Sequence, residues 1–350
     1  MGVRETEIGV SCQGKAPVVS IIVPTMNEVR NIRGALEAVA SNDYPHDCLE
    51  VIVVDGGSGD GTMDVVRTFA DQLSVNMIME PGCTVYQALN IGLAQAKGEV
   101  ILRVDARSTI PQNYIQRCVD HLASGNIQGV GGVQEQYGTN GTGEAVAIAT
   151  AHLLGAGGAA FRVGTKSGYV DTVYLGCYPR RVFDEIGKYD DDGRVVSEDS
   201  MLNKRIRDNG GRIFLDHTLR VKYPAKDSIA SLARQYFIYG GARAHVWMKY
   251  GTLTSPRQAL PILFLLWVLA IAISSLWYSP ALPAFLMTIG VYVAVICAAS
   301  FWAVYPKKRL DLFGKLAQAF VTIHFAWPVG FLLRAVAPGL YFRVLKAGSK

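Results

Sequence analysis

The sequence predicts an α/β domain built on a mainly parallel sheet, followed by helices that lie at and in a membrane. Short apolar runs alternate with amphipathic helical patterns through the first part of the chain, and this alternation is typical of βαβ units. One apolar run leads directly into Asp105, at the strand end where ligands bind in open α/β sheets. The final part of the chain contains long stretches without charge, as membrane helices do.

Composition narrows the class of protein before any motif is considered. The chain has 350 residues with a formal net charge of +5, and 50% of its residues are hydrophobic. A charge this small does not indicate a nucleic-acid partner. The six cysteines show no CxxC pair and no metal-binding spacing, which indicates a reducing compartment.

The strands and helices of the α/β domain can be assigned in order. The apolar runs that end at Pro24, Asp55 and Asp105 predict buried parallel strands, and apolar residues at helical spacing predict helices between them. Lys97-Gly98 is a typical signal for the end of a helix. The predicted order is strand 18–23, helix 29–40, strand 51–54, helix 63–73, strand 75–79, helix 87–96 and strand 100–104.

The glycine-rich turn GGSGDGT after Asp55 matches neither common nucleotide-binding motif. A dinucleotide-binding unit places GxGxxG directly after its first strand, where this chain has PTMNE, and a P-loop needs GK[ST]. The turn is therefore assigned a structural role, and Asp55 is the informative residue. Its carboxylate accepts a hydrogen bond either from an N–H group of a ligand or from the backbone N–H groups of an Asx turn.

Three segments in the first part of the chain, VSIIVPTMNE, EVIVVDGGSGDGT and ALNIGLAQAKGEVILRVDA, occur in a characteristic order. Together with the downstream SEDSMLNKRIRDNGGRIFLD, they resemble the family 2 glycosyltransferases, which have the GT-A fold. The combination of VDTVYLGCYPRRVFDEIGKYD with ARQYFIYGGARA is similar to bacterial enzymes that extend lipid-linked exopolysaccharide repeats of the succinoglycan type. The resemblance covers residues 17–245.

The resemblance implies a nucleotide-sugar site at the ends of the first, second and fourth strands. In the family, the turn after the first strand lines the base and ribose, and the acid after the second strand accepts the nucleobase imide proton, which favours uracil. The family carries D-x-D at positions 105 and 107 to hold Mg²⁺ or Mn²⁺. Here arginine replaces the second acid, which leaves one metal ligand, Asp105, and a cation that can pair with phosphate. The implied donor-site residues are Pro24, Asn27, Glu28, Asp55, Asp105 and Arg107.

Glu198 and Asp199 precede a helical pattern with Leu202 and Ile206 on its buried face. Acids at a helix N-terminus often serve only as a cap or a dipole partner. The resemblance implies instead that Asp199 is the general base for the acceptor hydroxyl and that Glu198 supports it. That role needs a carboxylate within hydrogen-bond reach of the reacting proton. The resemblance also implies an acceptor side, formed by Tyr174, Gly176 and Cys177.

Changes in composition divide the chain into segments. Residues 138–160 are rich in glycine and alanine, and the stretch that follows them, 161–170, is predicted to be a mobile loop. Residues 228–246 have apolar side chains along one helical face, which favours an amphipathic helix at a membrane surface, although a helix packed on the sheet would show the same pattern. Arg234 and Arg243 project from this segment and are expected to contact phosphate or lipid. The predicted segments are an N-terminal tail at 1–16, the GT-A domain at 17–225, interfacial helices at 226–257 and a membrane-embedded region at 258–350.

Two charge-free stretches, 259–278 and 281–305, are each long enough to span a bilayer, which takes about 20 residues. Arg257 and the basic residues at 307–309 flank them, and the positive-inside rule places both flanks on the cytoplasmic side. A third apolar stretch, Leu316–Leu333, contains a histidine and a proline. For this stretch a spanning and an interfacial placement both stay open.

Together with the membrane-like stretches, the resemblance implies an inverting glycosyltransferase at the inner membrane of a bacterium, with its catalytic domain in the cytoplasm. The expected donor is a UDP-hexose, and the expected acceptor is a lipid-linked saccharide of an exopolysaccharide or cell-surface glycan. One alternative is a polyprenyl-phosphate glycosyl synthase, whose acceptor is the bare lipid phosphate. A second alternative is a membrane scaffold without catalytic activity, which would keep the fold and the degenerate donor site.

Overall fold

The computed structural model describes residues 16–190, 198–251, 253 and 255–347. These residues form two compact units. The sheet unit contains the described residues of 16–135, 160–190 and 198–223, and the helical unit contains those of 136–159 and 224–347. Cys12 and all but the last residue of the predicted N-terminal tail lie outside the described residues.

One eight-stranded sheet forms the centre of the sheet unit. Its strands are β1 (Val19–Thr25), β2 (Leu49–Asp55), β3 (Val75–Met79), β4 (Val100–Arg103), β5 (Gly129–Tyr137), β6 (Gly168–Tyr169), β7 (Tyr174–Pro179) and β8 (Ile213–Pro224). The strand order is β3-β2-β1-β4-β7-β5-β8-β6. The first four strands pair in parallel, as the βαβ pattern predicts, whereas β7 is antiparallel to β4 and β5, and β6 is antiparallel to β8.

Helices connect and cover the strands, and further helices make up the helical unit. In chain order they are α1 (Ile32–Ala40), α2 (Thr62–Arg67), α3 (Val85–Gln95), α4 (Tyr114–Ala123), α5 (Gly141–Ala151), α6 (Leu153–Ala156), α7 (Ala160–Val163), α8 (Arg180–Ile186), α9 (Glu198–Asp208), α10 (Ile229–Tyr250), α11 (Ala259–Ser274), α12 (Ala281–Val304), α13 (Phe313–Val336) and α14 (Pro338–Ala347). Short 3₁₀ turns lie at His46–Cys48, Pro256–Gln258 and Leu310–Leu312.

Both faces of β1, β2 and β4 are buried, which is why these strands read as continuous apolar runs. Along β4, Leu102 packs in the core cluster on one face and Ile101 in the cluster on the other. Because side chains alternate along a strand, Arg103 shares the face of Ile101. α9 buries Leu202 and Ile206 on that same face. Strand alternation and helix periodicity therefore place the arginine of β4 on the face that α9 covers.

The helical unit is assembled around α13, which packs against α10 and α5. Glycine permits the contact with α10, because a Cβ at Gly240 of α10 or at Gly330 of α13 would overlap a carbonyl oxygen of the other helix. The segment proposed to lie on a membrane surface thus packs against a helix within its own unit. Pro328 lies inside α13 without ending it, so the third apolar stretch forms one continuous helix.

Two helical runs among the described residues, Ala281–Val304 and Leu310–Val336, are long and apolar enough to cross a membrane. The first is the predicted span at 281–305. The other predicted span, 259–278, is only partly helical, because α11 has 16 residues and turns follow it. A helix of that length rises about 24 Å, less than the hydrocarbon thickness of about 30 Å.

Three local predictions differ from the structure. β1 runs through Pro24 to Thr25, and α2 ends at Arg67, with turns to residue 73. The stretch 161–170, predicted as a mobile loop, contains most of α7 and the strand β6. The glycine- and alanine-rich stretch before it forms α5 and α6. The small residues of this stretch allow close packing of helices, since Ala145 and Ala149 are fully buried in the core of the helical unit.

Candidate functional site

The turns after β1 and β2 interlock at the carboxyl edge of the sheet. Thr25 and Asp55 are paired in the register of these strands, so both turns begin at the same level. Asn27 adopts a left-handed conformation, with φ of 54°, which asparagine tolerates better than most residues. Its backbone N–H donates to Ser58 Oγ at 2.7 Å, and its side-chain Oδ1 accepts from Gly59 N at 3.1 Å. The predicted donor turn is therefore held by the glycine-rich turn beside it.

Asp55 is fully buried at the end of β2. Its Oδ2 accepts from Gly57 N at 3.0 Å and from Ser58 N at 2.7 Å, and its Oδ1 accepts from the Ser58 hydroxyl. These are the contacts of the Asx turn that the sequence left open as an alternative. A nucleobase imide would have to share a carboxylate that already holds the glycine-rich turn.

An ion pair joins the turn after β1 to the turn after β4. Arg107 Nε lies 2.6 Å from Glu28 Oε1, and Asn31 Nδ2 donates to Glu28 Oε2 at 2.7 Å. Burial opposes the charge of Arg107, but Glu28 holds the pKa of the guanidinium above its ordinary value. Glu28 and Arg107, which are both predicted to bind the donor, therefore bind each other.

Arg103, which the sequence interpretation passed over, is the centre of the site. The residue is only 8% exposed. Its Nε donates to Asp105 Oδ1 at 2.7 Å, and its Nη1 donates to Glu198 Oε1 and to Asp199 Oδ1 at 2.8 Å each. The signal in the sequence was an arginine inside an apolar strand, two residues before an acid and hence on the same face.

The start of α9 is fixed over this arginine by packing and by a buried polar chain. Tyr178 of β7 donates its hydroxyl to Asn203 Oδ1 at 2.9 Å, and Asn203 Nδ2 donates to Thr172 Oγ1 at 2.9 Å. Glu198 and Asp199 lie in the first turn of the helix, where the helix dipole favours negative charge. The two acids therefore lie at the positive end of the helix dipole and contact the same arginine as Asp105.

The electrostatics of the cluster favour proton exchange at Asp199. Three carboxylates share one guanidinium. Burial raises the pKa of Asp199 to about 7, the charges of Glu198 and Asp105 raise it as well, and Arg103 opposes them. A carboxylate that titrates near neutral pH can accept a proton from a hydroxyl and later release it.

Tyr174, predicted to line the acceptor side, lies beside Asp105, whereas Cys177 is buried in the core and does not line the acceptor side. The Tyr174 hydroxyl donates to Asp105 Oδ2 at 3.2 Å and lies 2.6 Å from Ser108 Oγ. Burial raises the pKa of Tyr174 well above its ordinary value, so the phenol stays a neutral donor. Cys177 is opposite Leu102 in the middle of the sheet and is fully buried in the core. Cys177 is buried because β7 pairs with β4 on one side and with β5 on the other.

The strand that carries Tyr174 is strained next to it. Leu175 is buried and has φ of 48°, a conformation that costs an L-residue of order 1–3 kcal/mol. The predicted Gly176 follows, and a Cβ there would overlap the Tyr178 hydroxyl. The glycine therefore leaves room for the Tyr178 hydroxyl, which donates to Asn203 of α9.

The described residues do not fit a metal held by two acids. Asp105 Oδ1 is bonded to a guanidinium and Oδ2 to a phenol, and arginine occupies the second acidic position. In the described part of the chain, no group of three or more His, Cys, Asp or Glu side chains is arranged to hold a metal ion. Arg103 and Arg107 place positive charge beside Asp105 and oppose the binding of a divalent cation there, and the carboxylates of Glu198 and Asp199 are themselves paired with Arg103.

Arg234 and Arg243 belong to the helical unit, on α10. Arg234 is exposed, and its Nη2 donates to the Leu345 carbonyl of α14 at 3.4 Å. Arg243 is half-buried among small buried residues of the helix. Their expected contact with phosphate or lipid stays a prediction.

Comparison with known proteins shows which proteins the chain resembles. Residues 20–187 match the model of the family described as Glycosyl transferase family 2. The chain is 28% identical over 321 residues to the succinoglycan biosynthesis protein ExoA of Rhizobium meliloti (strain 1021), covering 89% of this chain and 93% of that protein. It is also 25% identical over 234 residues to a dolichyl N-acetyl-α-D-glucosaminyl phosphate 3-β-D-2,3-diacetamido-2,3-dideoxy-β-D-glucuronosyltransferase of Methanococcus voltae, covering 64% and 72%.

Among solved structures, the mannosyltransferase PcManGT from Pyrobaculum calidifontis, in complex with GDP-Man and Mn²⁺, superposes with a TM-score of 0.61. The two chains are 23% identical, and the match covers 89% of this chain and 88% of the other. This likeness, with the mixed sheet and the family match, confirms the predicted GT-A fold.

Proposed function

Because residues 20–187 match the family described as Glycosyl transferase family 2, we propose that the protein is an inverting hexosyltransferase. It moves a sugar from a nucleotide donor to a lipid-linked saccharide during exopolysaccharide or cell-surface glycan synthesis. The proposal rests mainly on one observation, the buried cluster in which Asp105 at the end of β4 and Asp199 at the start of α9 share Arg103. This cluster brings the donor edge of the sheet and a proton acceptor to one place.

The proposed reaction is a single displacement at the anomeric carbon. Asp199 accepts the proton of the acceptor hydroxyl while the hydroxyl oxygen forms a bond to the anomeric carbon. The bond from that carbon to the diphosphate oxygen breaks, and the nucleotide diphosphate leaves with the electron pair from the opposite face. An α-linked donor thus gives a β-linked product. The guanidinium of Arg107 is available to pair with a phosphate oxygen if the donor displaces Glu28.

A lipid-linked acceptor is supported by the apolar surface of the helical unit. α11, α12 and the turn between them expose large apolar side chains, among them Leu260, Trp277 and Trp302, with 80% of Trp277 exposed. Continuous exposed apolar surface of this kind marks a membrane or partner contact. The Methanococcus voltae relative is named for transfer to a dolichyl-phosphate saccharide, and the Rhizobium meliloti relative for succinoglycan biosynthesis. We place the protein at the inner membrane of a bacterium, with the sheet unit on the cytoplasmic side.

The donor is proposed to be a UDP-sugar, because the Asp55 carboxylate is an acceptor that can pair with the uracil imide N–H. Guanine offers an imide and an amino donor, so a single carboxylate discriminates incompletely, and the Pyrobaculum calidifontis structure holds GDP-Man. Calorimetric titration of UDP and GDP decides between them. Equal affinities would remove the argument from Asp55.

The deciding experiment is a screen of nucleotide sugars against extracted lipid acceptors, with the purified protein and product identification by mass spectrometry. The proposal expects one hexose added to a lipid-linked saccharide. Transfer to the bare lipid phosphate would instead identify a polyprenyl-phosphate glycosyl synthase. Nucleotide binding without transfer to any acceptor would favour a non-catalytic scaffold.

A further inference from the structure

Arg103 joins two parts of the site that are separated by 95 positions in the sequence. One edge of its guanidinium contacts Asp105, at the end of β4, and the nitrogen Nη1 contacts both acids at the start of α9. The side chain is 9% exposed and Glu198 is 7% exposed, whereas Asp105 and Asp199 reach the surface at 23% and 20%. Arg103 is therefore more deeply buried than Asp105 and Asp199, the two acids that a substrate can reach.

The shape of the guanidinium matters here as well as its charge. A planar group with donors on different edges can bind carboxylates from two directions at fixed angles. An ammonium is a point charge on a flexible stem and imposes no such plane. A buried ion cluster is in general weak evidence for a gain in stability, because apolar residues of similar volume often serve as well. The arrangement is better explained by a need to hold the acids in place.

We propose that Arg103 is the positioning residue for the base. It holds Asp199 through Oδ1, in a fixed relation to Asp105, so that Oδ2 is the oxygen that accepts the proton of the acceptor hydroxyl. This role rests on the proposed function, in which Asp199 is the base. Arg103 itself takes no proton and contacts no reacting atom; it aligns one carboxylate with the donor edge of the sheet.

Arg117 offers a matched control in the same unit. Its Nη2 lies 2.7 Å from Oδ2 of Asp216, a carboxylate whose side chain is only 2% exposed. This pair joins α4 to β8 and includes no residue assigned to the site. Loss of Arg117 removes an arginine from a buried carboxylate, as loss of Arg103 does, without touching the proposed base.

The test compares Arg103→Lys, Arg103→Met and Arg117→Met by donor KM, kcat, nucleotide affinity and thermal unfolding. We expect Arg103→Lys to lower kcat by about tenfold or more and Arg103→Met by about 100-fold, the range seen when a group that orients a functional ligand is lost. Nucleotide affinity and donor KM should stay within about threefold of wild type, because a misplaced base affects only the chemical step. Arg117→Met should lower the unfolding temperature and leave kcat within about twofold.

Arg103→Lys keeps a cation among the three acids, so it decides the question even if Arg103→Met does not fold. If Arg103→Lys retains kcat within about threefold of wild type, or if its loss appears in donor KM and nucleotide affinity instead, Arg103 is not the positioning residue. An equal loss of kcat in Arg117→Met would also overturn the proposal, because it would indicate a general loss of stability. A wild-type protein that transfers no sugar overturns the proposed function and this role together, whereas an active wild type with unchanged Arg103 variants overturns this role alone.

Discussion

Asp199 is the residue on which the proposed chemistry depends, and two features of its environment make it suitable. Burial together with the charges of Glu198 and Asp105 raises its pKa, and Arg103 prevents the pKa from rising further. The side chain still reaches the surface at the start of α9, where 20% of it is exposed. It can therefore meet a substrate hydroxyl and exchange a proton with it.

Asp199→Asn should abolish transfer and leave nucleotide binding intact. The amide keeps the size of the side chain but cannot accept the proton, and loss of a general base costs about 10²- to 10⁴-fold in rate. The measurements are kcat and the dissociation constant of the nucleotide. Asp208→Asn is the matched control, because Asp208 ends the same helix and pairs with Lys204 at 2.6 Å on the surface. An Asp199→Asn protein with kcat close to wild type would refute the assignment.

The pH dependence of kcat should report the same carboxylate. The base must be ionised, so kcat should fall as the pH drops through about 7, the raised pKa of Asp199. Glu198→Gln removes a neighbouring negative charge that raises this pKa, so the acid limb should move to lower pH. Glu185→Gln on α8, exposed and outside the site, serves as control. An acid limb that stays in place or moves upward in Glu198→Gln would contradict the assignment.

Metal dependence should be weak in the wild type, because guanidinium groups flank Asp105. Exhaustive chelation with EDTA should lower kcat by less than about tenfold, and Arg107→Asp, which restores a second acid, should make activity depend strongly on added Mg²⁺ or Mn²⁺. Arg107→Ala separates loss of the cation from gain of a ligand. Complete loss of wild-type activity with EDTA, with Arg107→Ala behaving as wild type, would show that Arg107 has no role at the phosphate.

Among the elements, the contact between α10 and α13 differs from what the sequence pattern favours. The pattern of α10 favours a helix on a membrane surface, and in the structure α10 packs against α13 inside the helical unit. Gly240 and Gly330 bring the two backbones together, and Phe237 stacks on Tyr341 of α14, with ring centroids 5.0 Å apart. Small residues allow helix backbones to approach closely in this way, in membranes as well as in water. α10 therefore packs against α13 along the side of the helix that carries Gly240.

Gly240→Ala should destabilise the helical unit. The added methyl group would overlap the Trp327 carbonyl of α13, and overpacking of this kind costs about 1–3 kcal/mol. The unfolding temperature in detergent should therefore drop by several degrees. Gly314→Ala on α13 is the control, because its Cβ meets nothing within 4 Å and alanine favours a helix by up to about 1 kcal/mol. An unchanged unfolding temperature in Gly240→Ala would show that the helices separate easily.

At the scale of the whole molecule, the charge pattern predicts how the helical unit meets a membrane. α12 carries no charged residue, and the basic residues at 307–309 follow it. Arg309 is bound to Glu144 at 2.5 Å and to Asp311 at 2.9 Å. Positive charge next to a span is retained on the cytoplasmic side.

Cysteine labelling of intact cells should place position 308 inside and position 279 outside. Lys308→Cys should react with an impermeant maleimide only after permeabilisation, and Ser279→Cys, in the turn between α11 and α12, should react without it. The unsubstituted chain measures the background from native cysteines, of which Cys48, Cys118 and Cys177 are buried. Labelling of Lys308→Cys in intact cells would reverse the predicted orientation.

Local signals in the sequence determined the parallel half of the fold and the acids at its edge. Strands buried on both faces appear in the sequence as apolar runs, and the residues that follow them lie at the carboxyl edge of the sheet. Asp55, Asp105 and the turn at Asn27 could therefore be assigned to that edge from the sequence alone. The helix beyond Glu198 and Asp199 was equally readable, because its buried face follows the helical period. Each of these properties depends on neighbours within a few positions.

Only the tertiary structure decided which of these groups meet. Arg103 contacts Glu198 and Asp199, Arg107 pairs with Glu28, and α10 packs on α13, and each of these contacts joins segments far apart in sequence. Cys177 was misplaced for the same reason, because its burial follows from a central position between β4 and β5. Periodicity fixes which face a residue occupies, but the partner on that face is set by how whole elements dock. The acids were therefore predictable, and the arginine that holds them was not.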